Sequence, residues 1–129
     1  MTKRKAPNPT DAELAILQVL WHSGPLTVRQ VYESLLKQRH MGYTTVLKML
    51  QIMTEKGLVE RDESSRSHVY RPRLPQAETQ RQLVGDLLDK AFAGSAARLV
   101  MSALSHTPAS RAELEQVKRL LDKMEGGNP

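Results

Sequence analysis

Apolar positions in the first third of the chain recur at helical spacing, and the first two runs each begin with a polar cap. Thr10-Asp-Ala-Glu13 is a capping box, in which the Thr hydroxyl satisfies an N3 amide and the Glu reaches back. Leu14, Leu17, Leu20 and Trp21 follow, and Ser23-Gly24-Pro25 ends the run. Thr27-Val-Arg-Gln30 is a second capping box, leading into a stripe of Val28, Val31, Tyr32, Leu35 and Leu36. After the short connection Arg39–Tyr43, a third helix starts near Thr44 or Thr45. It carries Val46, Met49, Leu50 and Met53 at i, i+3, i+4 and i+7, and Gly57 suits the left-handed position that closes a helix.

The period then changes to two. Leu58–Arg61 and His68–Arg71 read as strands around the polar turn Asp62–Ser67, and Pro72 and Pro75 end the unit. Three short helices followed by a hairpin is the order of a winged helix-turn-helix. Past Pro75 the pattern is helical again, in three segments. Gln76 to about Phe92 carries Leu83, Leu87, Leu88 and Phe92. About Ser95 to Ser105 carries Leu99 and Val100. After Thr107-Pro108, a third capping box, Ser110-Arg-Ala-Glu113, opens a helix bearing Leu114, Val117 and Leu121. The expected fold is therefore mainly α: an N-terminal winged helix-turn-helix, then a three-helix C-terminal dimerisation domain. The expected division is a flexible basic arm at 1–8, a winged helix at 9–75, a helical dimerisation domain at 76–125 and a flexible tail at 126–129. The last helices are short and hold one large aromatic residue, Phe92, so they bury little apolar surface alone and are expected to pair with a second copy.

Charge sharpens this division. The chain of 129 residues has a formal charge of +5. Residues 1–75 hold 12 Lys and Arg against 7 Asp and Glu, whereas residues 76–129 hold 7 of each. All the excess positive charge lies with the helix-turn-helix, the footprint of an anionic partner such as double-stranded DNA. On the outer face of the third helix lie Thr44, Thr45, Leu47, Lys48 and Gln51. Thr hydroxyls suit phosphate or base edges, Gln51 suits adenine, and Lys48 suits a phosphate or a guanine. Leu47 fits a thymine methyl or partial burial against the first helix. At the hairpin tip, Arg66 and Ser67 are placed for the phosphate backbone or the minor groove. The alternative function is a winged helix that binds protein and no DNA.

Composition removes other classes. With no Cys there is no disulfide framework, thiolate metal site or cysteine nucleophile. There is no phosphate loop, no zinc-protease motif and no nucleophile elbow. Ser34-Leu-Leu-Lys37 matches Ser-x-x-Lys by chance spacing alone, and the four histidines share no ligand spacing. The expectation is no catalytic site, no metal and no cofactor. No apolar run approaches a membrane span and no signal-peptide core follows the basic start, so the expected protein is soluble and cytoplasmic, without direct membrane binding.

These residues resemble a known family. Pro9–Trp21, Thr27–Tyr32, Gly42–Leu58, the hairpin Arg61–Tyr70 and Ala91–Val100 are similar to the penicillinase repressor family (BlaI/MecI type) of bacterial winged-helix transcriptional regulators. The resemblance implies a dimeric repressor of an inverted-repeat operator. It puts Thr44, Thr45, Leu47 and Lys48 at the DNA-reading start of the recognition helix, with the wing at Arg66 on the backbone. It also implies a possible partner, a membrane-bound sensor metallopeptidase, which cuts relatives within the dimerisation domain. The corresponding bond here is Ser102–Ala103, where relatives typically carry Asn-Phe. Copper-sensing members carry a cysteine cluster near the C-terminus, which this chain lacks.

Overall fold

The computed structural model describes residues 7–126. Helix α1 (Asp11–Ser23) leads through strand β1 (Leu26–Thr27) to α2 (Val28–Leu35) and α3 (Tyr43–Lys56). Strands β2 (Val59–Asp62) and β3 (Val69–Pro72) form the wing, followed by α4 (Gln76–Ala91), α5 (Ala96–His106) and α6 (Arg111–Glu125). All three capping boxes are present. Thr10 accepts from the Glu13 amide, Thr27 from Gln30 and Ser110 from Glu113, each answered by the N3 side chain. Gly57 ends α3 at φ +82°, a conformation that costs little without a Cβ.

The sheet holds one strand more than the two of the expected hairpin. β3 lies between β1 and β2, antiparallel to both, with Tyr70 opposite Leu26 on one side and Arg61 on the other. β1 is only two residues long, so no alternation along the chain announces it. The wing strands begin and end one residue later than the period-two pattern places them. α2 stops at Leu35, and Leu36, expected in its buried stripe, is an exposed cap residue.

The core lies between α1, α2, α3 and the sheet. Ile16, Val31, Val46, Leu50 and Met53 are completely shielded, and Tyr70 of the central strand packs with them. On α1 the buried face is Ile16, Leu17, Val19 and Leu20, while Leu14 and Trp21 are half-buried. Trp21 instead donates its indole N–H to the Leu74 carbonyl at 3.1 Å, tying α1 to the segment after the wing. Asn8, assigned to the flexible arm, accepts a hydrogen bond from Gln82 of α4 at 2.7 Å. The arm's basic residues, Lys3, Arg4 and Lys5, lie outside the described residues.

The chain divides into two compact units, Met1–Val84 and Gly85–Pro129. The division falls inside α4 rather than at Pro75. Thr79, on the N-terminal half of α4, is buried. The second unit differs from the first in kind: among its described residues, none is buried. The connection from α4 to α5 turns through Ala93 and Gly94, both at positive φ. No helix among the described residues is long and apolar enough to cross a membrane.

One ion pair spans the winged unit. Glu13 of α1 accepts from Lys56 Nζ at the end of α3, at 2.7 Å, and its side chain is almost fully shielded. Burial pushes the Glu13 carboxyl up, but hydrogen bonds from Lys56 and the Thr10 amide, with the Lys56 charge, hold it below its ordinary value of 4.5. A depressed folded value gives stability that is present above pH 4.5 and lost as pH falls through that depressed value. Glu13→Gln keeps the capping geometry and removes the charge. Thermal melts from neutral to acid pH should show the variant less stable at neutral pH. The gap should close below about pH 4.5. A gap that is constant with pH contradicts this assignment.

Candidate nucleic-acid interface

Recognition-type helix α3 is held on one side and free on the other. Val46, Leu50 and Met53 form its buried edge, and Met49 and Leu47 flank it. A 3.6-residue repeat then turns Thr44, Lys48, Gln51 and Glu55 outward in one line, with Thr45 and Ile52 beside it, and all six are exposed. Ile52 is an apolar member of this face that sequence patterning did not single out. Leu47 is partly buried against the core, and its remaining surface lines the groove described below.

The start of α3 differs from those of α1, α2 and α6. Its cap is Gly42, which has no side chain to bond the first amides, and its first turn holds no acidic residue. The first-turn amides and the positive end of the helix dipole are therefore left available to an anion. Tyr43 opens the helix. Its ring meets Tyr32 edge-on at 5.8 Å, and the Arg29 guanidinium lies 5.4 Å from its centroid.

The wing presents its charge at the tip. Arg61 donates to Glu63 at 2.7 Å and Arg71 to Glu60 at 3.1 Å, so these arginines are engaged by neighbouring carboxylates. Asp62 accepts the Ser64 amide at 2.9 Å, and hydrogen bonding from the Ser64 hydroxyl and this amide holds its carboxyl below the usual carboxylate range. Ser65 donates to the Ser67 carbonyl at 2.9 Å, closing the tip. Arg66, Ser67 and His68 are exposed. Between the wing, the start of α2 and the start of α3 lies a groove of about 290 Å³. Arg66, Ser67 and Leu47 from the expected set meet there, joined by Arg29, Tyr43 and His68. Thr44, Thr45, Lys48 and Gln51 lie along the adjoining face of α3. Arg29 and Tyr43 gave no sequence signal, because only the folded turn brings α2 and α3 together at that end.

The family model for the penicillinase repressor matches residues 9–123. The chain belongs to the penicillinase repressor family. It is a DNA-binding transcriptional repressor and not an enzyme. The chain is 33% identical over 120 residues to the transcriptional regulator BlaI of Mycobacterium tuberculosis, covering 92% of this chain and 86% of that protein. It is 22% identical to the penicillinase repressor of Bacillus licheniformis, over 93% of this chain and 94% of that protein. Among solved structures, the monomeric form of Bacillus licheniformis BlaI in complex with the blaP half-operator matches with a TM-score of 0.51 and 26% identity. That match covers 59% of this chain and 93% of that one. The DNA-binding domain of the repressor BlaI matches to the same degree. These neighbours of the repressor are winged-helix DNA-binding domains, and the expectation of a winged helix serving protein contacts alone loses its support.

The two sides of α3 should respond differently to truncation. Leu50→Ala is expected to cost about 2–5 kcal/mol of stability. Ile52→Ala, on the exposed face, should change it by no more than about 0.5 kcal/mol. Urea unfolding followed by the fluorescence of Trp21 measures both. Equal losses would mean that α3 is not seated as described.

Proposed function

We propose that this repressor acts as a homodimer whose two winged units occupy the two halves of an inverted-repeat operator. The observation that carries the dimer is the absence of any buried residue among the described part of the second unit. Its helices nonetheless bear apolar side chains along one stripe each. Leu87, Val100, Leu114 and Leu121 are between 41% and 50% exposed, and Leu88, Phe92, Leu99 and Val117 are half-buried, as is Leu83 on α4 just before the division. Leu104, Leu120 and Met124 extend the same stripes. A set of helices with open apolar faces and no core of its own is stabilised by a second copy of itself, which buries both faces at once.

Dimerisation then sets affinity. One winged helix makes few DNA contacts, and joining two turns the second binding event into an intramolecular one. Thr44, Thr45, Leu47, Lys48 and Gln51 read the major groove in this arrangement, and Arg66 and Ser67 follow the backbone. The repressor works where its DNA is, in the cytoplasm of a bacterium. Ser102 and Ala103 are exposed midway along α5, between the stripe residues Val100 and Leu104. Cleavage there by a membrane-bound sensor metallopeptidase would split the stripe and release the operator. Such a cut requires α5 to unwind locally, since a helical backbone does not enter a protease cleft in extended form.

Sedimentation at micromolar concentration, paired with gel shifts on the fragment upstream of its own gene, tests this reading. The wild type should sediment at twice 14.5 kDa. Leu104→Asp should sediment as a single chain and lose on the order of 100-fold in DNA affinity. A wild type that stays a single chain, or a monomeric variant that binds as tightly, would overturn the dimer. For Lys48→Ala in the dimer, a phosphate role predicts a log–log salt slope shallower by about 0.9 per half-site. A guanine-reading role predicts relaxed specificity at one base pair, at a cost of ~1–3 kcal/mol. An isotherm unchanged in slope and specificity would remove Lys48 from the interface.

A further inference from the structure

We infer that the groove between α2, α3 and the wing seats one phosphodiester of the DNA backbone, with Arg29 as its phosphate-binding residue and Tyr43 as the residue that positions Arg29. This rests on the reading that α3 enters the major groove, and adds to it a contact from α2. Three observations converge. First, the groove holds two guanidiniums, from Arg29 and Arg66, and an imidazole from His68, while no carboxylate lines it. The nearby acids of the wing are turned to local partners, Glu63 to Arg61 and Asp62 to the Ser64 amide. Second, the first turns of both α2 and α3 lack acidic residues, so both helix dipoles present their positive ends without a competing negative charge.

Third, Arg29 is held in a way that leaves its donors usable. Its guanidinium lies 5.4 Å from the centroid of the Tyr43 ring, and that ring is itself braced edge-on by Tyr32. Stacking engages the face of a guanidinium, whereas its N–H groups point outward in its plane. A stacked arginine has therefore surrendered part of its rotamer freedom before any ligand arrives, and still offers a fork of donors matched to phosphate oxygens. A singly charged phosphodiester running from the mouth of the recognition helix to the wing fits this arrangement. The Tyr43 hydroxyl is not needed for it; the ring is.

Fluorescence anisotropy with two labelled duplexes tests the assignment across a salt series: the fragment upstream of its own gene, and a random-sequence duplex of equal length. Arg29→Ala should weaken both by the same factor, roughly tenfold. Its log–log salt slope should be shallower by about 0.9 per winged unit. Tyr43→Phe should match the wild type, and Tyr43→Leu should weaken both duplexes in the same direction as Arg29→Ala. Added to Arg29→Ala, Tyr43→Leu should cause no further loss, because its effect runs through the arginine. Urea unfolding confirms that each variant is folded. Millimolar inorganic phosphate, at constant ionic strength, should leave the wild-type isotherm in place.

An unchanged salt slope in Arg29→Ala, or a loss confined to the upstream fragment, would overturn the phosphate role. A Tyr43→Leu effect equally large without Arg29, or a Tyr43→Phe loss, would overturn the positioning role. Phosphate competition that disappears in Arg29→Ala would identify a free-anion site instead. These failures are distinct from failure of the underlying reading, which would show as a wild type that binds neither duplex at low salt.

Discussion

The winged unit depends on one shared core. Val46, Leu50 and Met53 of α3 are fully shielded by α1, α2 and the sheet, and this seating determines which side chains of α3 are left outside. Close packing permits little rotation of a helix so held, because turning it by one residue would bury Gln51 or Thr45 without partners. Other contacts brace the same arrangement. The Glu13–Lys56 pair joins α1 to the end of α3, and the Trp21–Leu74 bond joins α1 to the chain leaving the wing. The reading face is therefore a consequence of burial rather than of any feature of the exposed residues themselves.

The second unit is the reverse case. Its helices are well capped, by Ser95 and by the Ser110–Glu113 box, yet local caps of about 1 kcal/mol each do not replace a core. The same sequence thus contains a unit with its apolar surface enclosed and a unit with its apolar surface open. That asymmetry matches the charge: the enclosed unit is basic and the open one neutral. In the proposed dimer, DNA affinity becomes a property of the assembled pair, and control acts through α5 and α6 without altering α3.

Much of this was legible in the residues. The capping boxes marked three helix starts, Gly57 marked an end, and the change of period after it marked the wing. What was missed has physical causes. α1 is apolar over most of its circumference, so Ile16 and Val19 could not be separated by period from Leu14. β1 exists only because β3 returns beside it from more than forty residues away. The division between the units lies inside a continuous helix, where the helical pattern has no break to show. A helical wheel was sufficient to place Thr44, Lys48 and Gln51 on the exposed face of α3. Arg29 and Tyr43 belong to different helices and meet only in three dimensions, so periodicity along either helix was silent about them. Leu47 fell between two readings because it sits at the edge of the core, partly buried and partly open.

In the proposed dimer, two reading heads are joined by a unit that has no core until it pairs. Hydroxyl-radical footprinting of the full-length repressor on the DNA upstream of its own gene tests this directly. Two protected patches related by a two-fold axis are expected. Their centres should lie one helical turn, about 10–10.5 base pairs, or a whole multiple of it apart, and they should appear together as protein is added. A single patch, or two that fill independently at separate concentrations, would contradict the dimer.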